Sequence, residues 1–395
     1  MKMLPKYYEF FNSVKINAGI EALETIPYEL NLVNANRPLI ITDKGIVNAG
    51  LLKIVLDSFA DSKLVVGAVF DETPSDSSLD IVNKVAQIYK ETNCNSIIAV
   101  GGGSVIDTAK GVNIIISEQT DDIRQFMGVD RLSKPQRPLI VVPTTSGTGS
   151  EVTLVAVISD KEKNVKLPFT SNLLLPKVAV LDPRMTLSLP QKITAATGMD
   201  ALTHAVEAFT CLQKNPLSDA YALSAINLIR ENLIEVVQNG KNADARFAMA
   251  NASLMAGIAF SNSMVGGVHA IGHACGGVAH IHHGLAMSIL LPHVMRYNLD
   301  VVGEYYAELL LPLAGEDVFI NTKKEDRAEK SIQVVENMKN ELKSICGMAV
   351  SLSEAGVKEE QLEDIAKTAM NDGAMSPNPK EMDFEDVMQI LKLAF

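Results

Sequence analysis

Five of the seven histidines fall within fifteen residues: His269, His273, His280, His282 and His283. Upstream, Asp200-Ala-Leu-Thr-His204 sits in an apolar, helix-forming context. Asp200 and His204 are spaced i, i+4 and so project from one helix face, and His269 and His273 repeat that spacing. A single histidine on an apolar helix is ordinarily a satisfied core residue. Two such pairs with a further cluster point instead to a metal site. Carboxylate and imidazole suit a first-row divalent ion, and three or four ligands must converge on it.

Two loops carry a different chemistry. Gly101-Gly102-Gly103-Ser104-Val105-Ile106-Asp107 follows an apolar run and opens a helix. Glycines let the backbone approach a ligand, and the N–H groups at a helix start favour an anion such as pyrophosphate. The run departs from G-x-G-x-x-G, and alone it reads equally as a tight strand-to-helix turn. Pro143-Thr144-Thr145-Ser146-Gly147-Thr148-Gly149-Ser150-Glu151 also follows a strand and offers hydroxyl and amide donors. Two such loops at the ends of neighbouring strands favour a nucleotide, because open α/β sheets bind ligands there. Asp43 closes the first strand. An acid in that position accepts from a ribose 2′-OH and repels a 2′-phosphate, favouring NAD over NADP; helix capping is the equal alternative.

The elements that must position these residues differ between the halves. Residues 38–42, 64–70, 96–100 and 139–142 read as strands separated by helical stretches, including 46–59 and a helix running to about residue 91. This alternation implies βαβ units and a largely parallel sheet buried on both faces. Residues 152–158 and 178–181 add β-rich segments. After Pro190 the strand-like runs disappear, and Ala, Leu and Met dominate 201–209, 220–237 and 246–260. The expected fold is an α/β dinucleotide-binding domain with a mostly parallel sheet over residues 1–187, plus an all-α metal-binding domain over 188–395. An active-site cleft between them is expected, since ligand sites favour such clefts. The polar run 321–329 is expected to be a loop or a helix start.

The chain of 395 residues needs no disulfide or metal merely to fold, since a chain this long buries roughly three quarters of its unfolded surface. Its formal charge of −12, from 35 basic and 47 acidic residues, argues against nucleic-acid and anionic-membrane partners. Cys94, Cys211, Cys275 and Cys346 lack paired spacing, so neither a disulfide framework nor a thiolate zinc site is indicated. No stretch approaches about 18 consecutive apolar residues, and the opening residues lack a signal peptide's apolar core, so a cytoplasmic globular protein is expected.

Residues 101–107, residues 143–153, Gly198-Met-Asp200-Ala-Leu-Thr-His204-Ala-Val-Glu207, and Val268-His269 through His283-Gly284-Leu-Ala occur in fixed order along the chain. Together they resemble the iron-containing alcohol dehydrogenase family, within the dehydroquinate-synthase-like fold. The resemblance implies that Asp200, His204, His269 and His283 coordinate one divalent metal: Fe2+, or alternatively Zn2+ or another divalent ion. The fourteen-residue step from His269, with Gly284 following, selects His283 over His280 and His282. His273 becomes the histidine beside the metal and the candidate proton relay. Asp43 would hold the adenosine ribose, and Gly101, Gly102, Gly103, Ser104 and Asp107 the pyrophosphate. Thr144, Thr145 and Thr148 would line the nucleotide, Lys166 would reach the nicotinamide ribose, with a plain surface lysine as the equal alternative, and Phe260 would face the substrate.

The implied activity is reversible hydride transfer between NAD(H) and a small primary alcohol, diol or aldehyde, with the metal as Lewis acid, in a homodimer or higher homo-oligomer. A zinc-dependent polyol dehydrogenase of the same fold is the alternative. A dehydroquinate-synthase-like lyase would want basic residues for a phosphorylated acid, yet residues 198–284 contain only Lys214, Arg230, Lys241 and Arg246. Residues 371–379 resemble the family's C-terminal active-site loop but contain no cysteine. No role follows for His280 or His282, and Cys275 reads as a buried apolar thiol.

Overall fold

Strands covered on both faces can be apolar at every position, and the first half of the chain is built from such strands. The computed structural model describes residues 5–163 and 165–395. Its strands are β1 (Lys15–Ala18), β2 (Pro38–Ile41), β3 (Ala68–Phe70), β4 (Ser96–Gly101), β5 (Gly128–Val129), β6 (Leu139–Pro143), β7 (Val155–Asp160), β8 (Val165–Thr170) and β9 (Val178–Leu181). Six of them form a parallel sheet in the order β1-β9-β6-β4-β2-β3. Leu39, Ile97, Leu139 and Val141 join one core with Val82, Val85 and Ile106. Their neighbours Ile40, Ile98, Ile140 and Val142 join the opposite core with Leu23, Ile26 and Val55. The two-residue period thus fills both faces. A smaller sheet, β5-β8-β7, contains the antiparallel pair β7–β8.

The order of strands creates a place for a ligand. From β2 the chain moves outward to β3, then returns to form β4 on the other side of β2. Connections therefore diverge between β2 and β4, and such a switch point leaves a crevice outside the carboxyl ends of the strands. Asp43 immediately follows β2, and Gly101 ends β4.

Several sequence expectations need correction. The strand expected at 64–70 is confined to Ala68–Phe70. The single helix expected at 46–59 is two, Lys44–Asn48 and Leu51–Asp57, because Gly50 between them has a φ of 76°. Strands β1 and β8 were not expected. Both are half exposed, and β8 contains Lys166 and Pro168, which dilute its apolar signal.

Among the described residues no strand follows β9. The helix Gln191–Thr210 is buried from Thr194 through Thr210, as befits a helix surrounded by other helices. Pro216–Gln238, Ala243–Ser261 and His283–Ala314 pack against it. Close approach depends on missing side chains: a Cβ on Gly198 would lie 2.3 Å from Leu233 Cδ1, and one on Gly284 would lie 2.4 Å from the Ala196 carbonyl oxygen. Contacts divide the described residues into Phe11–Ser188 and a helical unit comprising Leu189–Phe395 with residues 5–10. Phe10 stacks on Tyr221 at 5.9 Å, which ties that residue to the helical unit. All four cysteines are free. No helix among the described residues is long and apolar enough to cross a membrane.

Candidate functional site

Asp200 and His204 lie one turn apart on the buried helix Gln191–Thr210. His269 sits in the first turn of Gly267–Ala279, and His283 begins His283–Ala314. Gly284 lets this last helix start directly against the backbone of the Asp200 helix, which carries His283 to its place. One ligand atom from each of the four residues lies within 4.8 Å of all the others. Asp200 Oδ1 is 3.8 Å from His204 Nδ1, 3.9 Å from His269 Nε2 and 3.3 Å from His283 Nε2.

The polar atoms at this point are buried and unsatisfied. Asp200 Oδ1, His204 Nδ1 and His269 Nε2 have no hydrogen-bond partner among the described residues. Leaving one buried polar atom unpaired costs about 1–3 kcal/mol, so three at one point serve no folding purpose. A divalent cation taking oxygen and nitrogen donors would satisfy all three, and the donor set fits one. Burial alone would raise the Asp200 carboxyl, but the facing imidazoles of His204 and His283 carry it well below its ordinary value. Burial drives His204 down to about 3 and His269 well below its usual range, which favours the neutral rings whose lone pairs could coordinate an ion.

His280 and His282 stand outside the four-residue group. His280 ends its helix with a φ of 56°, and His282 occupies the N-cap of the next, so these two turn the chain between His269 and His283. Phe260 stacks on the His204 ring at 4.3 Å and fixes its plane. His273 lies beside the group: its ring centroid is 5.4 Å from that of His283 and 5.8 Å from that of His269. Its Nδ1 is 2.9 Å from Asp372 Oδ2.

Sequence reasoning left two carboxylates without a role. Glu207 Oε2 meets His269 Nδ1 at 2.5 Å, while its Oε1 accepts from the Val268 amide at 2.7 Å. Burial pushes the Glu207 carboxyl up to about 7, against the pull of the Val268, Gly266 and His269 amides. The spacing of Asp200, His204 and Glu207 at i, i+4 and i+7 was a usable signal, because it puts all three on one helix face. Asp372 is 99 residues from His273, and no spacing announces that contact.

The nucleotide-type residues gather in the other unit. Gly101 pairs with Pro143 at the ends of adjacent strands, and the Thr144 amide donates to the Gly101 carbonyl at 3.1 Å. The loops touch: a Cβ on Gly102 would lie 3.4 Å from Thr145 Oγ1, and one on Gly103 would lie 3.1 Å from Thr148 Cγ2. Gly102 is the N-cap of Gly103–Glu118 and offers no side-chain cap, leaving its first-turn amides to other acceptors. Other side chains are engaged within the fold. Asp43 Oδ1 caps its helix by accepting from the Ile46 amide at 3.0 Å. The Ser104 hydroxyl donates to the Ser75 carbonyl at 2.5 Å, and Asp107 Oδ2 accepts from the Val157 amide at 3.2 Å. Lys166, on β8, pairs at 3.3 Å with Asp76, the residue next to Ser75.

Known proteins share both halves. Residues 13–183 match the family described as iron-containing alcohol dehydrogenase, and residues 194–395 match the Fe-containing alcohol dehydrogenase family, C-terminal. The NAD-dependent methanol dehydrogenase of Bacillus methanolicus is 36% identical over 376 residues, covering 95% of this chain and 97% of that enzyme. The 1,3-propanediol dehydrogenase of Klebsiella pneumoniae is 36% identical over 379 residues, covering 95% and 96%. A crystal structure of 1,3-propanediol oxidoreductase superimposes with a TM-score of 0.94 at 34% identity, covering 99% of this chain and all of that one. With both halves matched and the relatives covered almost end to end, the chain belongs to the iron-containing alcohol dehydrogenase family, a family of NAD- and metal-dependent oxidoreductases.

Proposed function

We propose that this chain oxidises a small primary alcohol or diol, and reduces the matching aldehyde, using NAD(H) and one iron ion held by Asp200, His204, His269 and His283. The observation that carries the reading is the convergence of three buried, unpartnered ligand atoms beside a fourth histidine. When bound, the ion supplies Lewis acidity toward an alcohol oxygen and NAD supplies the hydride acceptor. Asp200 brings the negative charge of the ligand set, and the stacked Phe260 fixes His204 while lining the substrate side. With its Nδ1–H donated to Asp372, His273 keeps the Nε2 lone pair to exchange a proton with substrate or solvent.

The Gly101–Gly103 turn and the Gly103–Glu118 helix start would hold pyrophosphate, with Ser104 and Asp107 contributing from that helix. Thr144, Thr145 and Thr148 would line the nucleotide, and Lys166 would reach the nicotinamide ribose. Asp43 supports NAD over NADP through the carboxylate oxygen that is not spent on the cap. Methanol and 1,3-propanediol, named for two relatives, are both primary alcohols, which supports that substrate class. Iron is favoured over zinc because both family descriptions specify it, and neither the zinc polyol dehydrogenase nor the lyase is favoured. A homo-oligomer is part of the reading, supported by the sheet ends at β1 and β3. A cytoplasmic location, where NAD(H) is available, is part of the reading. The test is NADH production from a panel of short alcohols and diols, on metal-free protein and after anaerobic loading with ferrous or zinc ions. Turnover restored best by iron and absent in His283→Ala supports the reading, whereas undiminished turnover in the metal-free protein overturns it.

A further inference from the structure

We infer that Glu207 is a positioning residue for the metal centre: its carboxylate sets the His269 tautomer, with the proton on Nδ1 and the Nε2 lone pair turned toward Asp200. The inference rests on the metal reading above and concerns a residue that is not itself among the four ligands. A backbone amide can only donate, so the 2.7 Å contact from Val268 makes Glu207 Oε1 an acceptor. The same carboxylate group reaches His269 Nδ1 with its other oxygen at 2.5 Å. An ionised carboxylate has no proton to give, so it accepts from the ring as well, which puts the imidazole proton on Nδ1. Nε2 is then a lone pair, 3.9 Å from Asp200 Oδ1, and it has no hydrogen-bond partner among the described residues.

The surroundings hold Glu207 in that role. From its own helix, its carboxylate reaches the N-terminal end of the helix that bears His269, where unsatisfied amides favour negative charge. The neighbouring Gly267 amide is taken separately by Asn378 Oδ1 at 3.1 Å, so Glu207 keeps Val268. There is little room for an alternative arrangement: a Cβ on Gly266 would come within 3.1 Å of Glu207 Oε1 and 3.0 Å of Asn378 Oδ1. The other histidines are oriented differently, His204 by the Phe260 ring and His273 by Asp372. Glutamine at position 207 has the same shape but cannot do the same work. If its carbonyl accepts from Val268, its NH2 must donate to His269 Nδ1, which moves the ring proton to Nε2. If its carbonyl accepts from the ring, its NH2 confronts the Val268 amide.

The experiment strips the purified protein of metal and titrates it with cobalt ions alone, following visible absorption, for wild type, His269→Ala and Glu207→Gln. Thermal melts of the metal-free forms run alongside. Glu207→Gln is expected to weaken cobalt binding by about 10- to 100-fold and to alter the cobalt spectrum, with a metal-free melt close to wild type. Wild-type affinity and spectrum in Glu207→Gln overturn the role of Glu207 and leave the metal centre standing. Failure of the wild type to take up cobalt, or indifference to His269→Ala, overturns the metal centre and this inference with it. Should Glu207→Gln not fold, histidine-labelled, metal-free wild type decides the matter by nitrogen-correlated NMR, since no ion then dictates the tautomer, with His269 assigned by its loss in His269→Ala. A proton on Nδ1 supports the inference, and a proton on Nε2 overturns it.

Discussion

In the helical unit, four side chains from three helices meet at one point, and three of the atoms that meet are buried and without hydrogen-bond partners among the described residues. In the α/β unit, the candidate nucleotide residues are spread along the ends of parallel strands, and much of what they present is backbone. The first arrangement concentrates function in a few irreplaceable atoms held by rigid helices. The second distributes it over amides, which no single side-chain change removes. Substitutions in the helical unit should therefore act nearly all-or-none, and those in the α/β unit by degrees.

The largest effect is expected from a ligand. His204→Ala should lower metal-dependent turnover by more than about 100-fold and abolish stoichiometric metal content, since even an outer partner of a ligand costs about 10- to 100-fold. A graded loss of a few-fold, measured as NADH production beside metal content, would erase the contrast between the halves.

Next comes the packing that brings His283 to the site. Gly284→Ala sets a methyl 2.4 Å from the Ala196 carbonyl oxygen, backbone against backbone. It should destabilise the chain by about 1–3 kcal/mol and lower metal occupancy. Gly277, whose Cβ would meet nothing within 4 Å, is the control, and Gly277→Ala should stay within about 0.5 kcal/mol of wild type or gain slightly. Denaturant melts of the two variants settle this pair.

On the nucleotide side, Gly103→Val crowds Thr148 across the two loops. The KM for NAD should rise about tenfold, equivalent to about 1.4 kcal/mol, with metal content unchanged. Loss of metal from this variant would show that the two sites are not separable. The smallest effect is expected at Asp43. Asparagine retains the cap on Ile46, so Asp43→Asn should fold normally and shift the ratio of kcat/KM for NAD over NADP by only a few-fold. An unchanged ratio would leave Asp43 as a cap alone.

The two units were also legible to different depths. The sheet could be read because strands covered on both faces lose all polar interruption, as in Leu139-Ile140-Val141-Val142. Strands β1 and β8 escaped because each has an exposed side. Asp200 and His204 announced themselves through helical spacing, and Glu207 continues the same face. The capping contact of Asp43 was a foreseeable alternative. The Ser104 hydroxyl turning to Ser75 was not, since 29 residues separate the pair. Asp372 escaped for the same reason: a side-chain contact between distant segments leaves no periodic trace.

The sequence by itself determined the kinds of ligand, the helix faces that present Asp200 with His204, and the glycines that open the phosphate-type turn. These are properties of local covalent geometry, which repeats every few residues. The tertiary structure brings His283, the histidine that the family resemblance had selected, within 3.3 Å of Asp200, and it alone decided that Glu207 reaches the ring of His269. Both depend on how closely separate helices pack, at Gly284 on Ala196 and at Gly266 beside Glu207. The same packing buries three polar atoms that have no hydrogen-bond partner among the described residues.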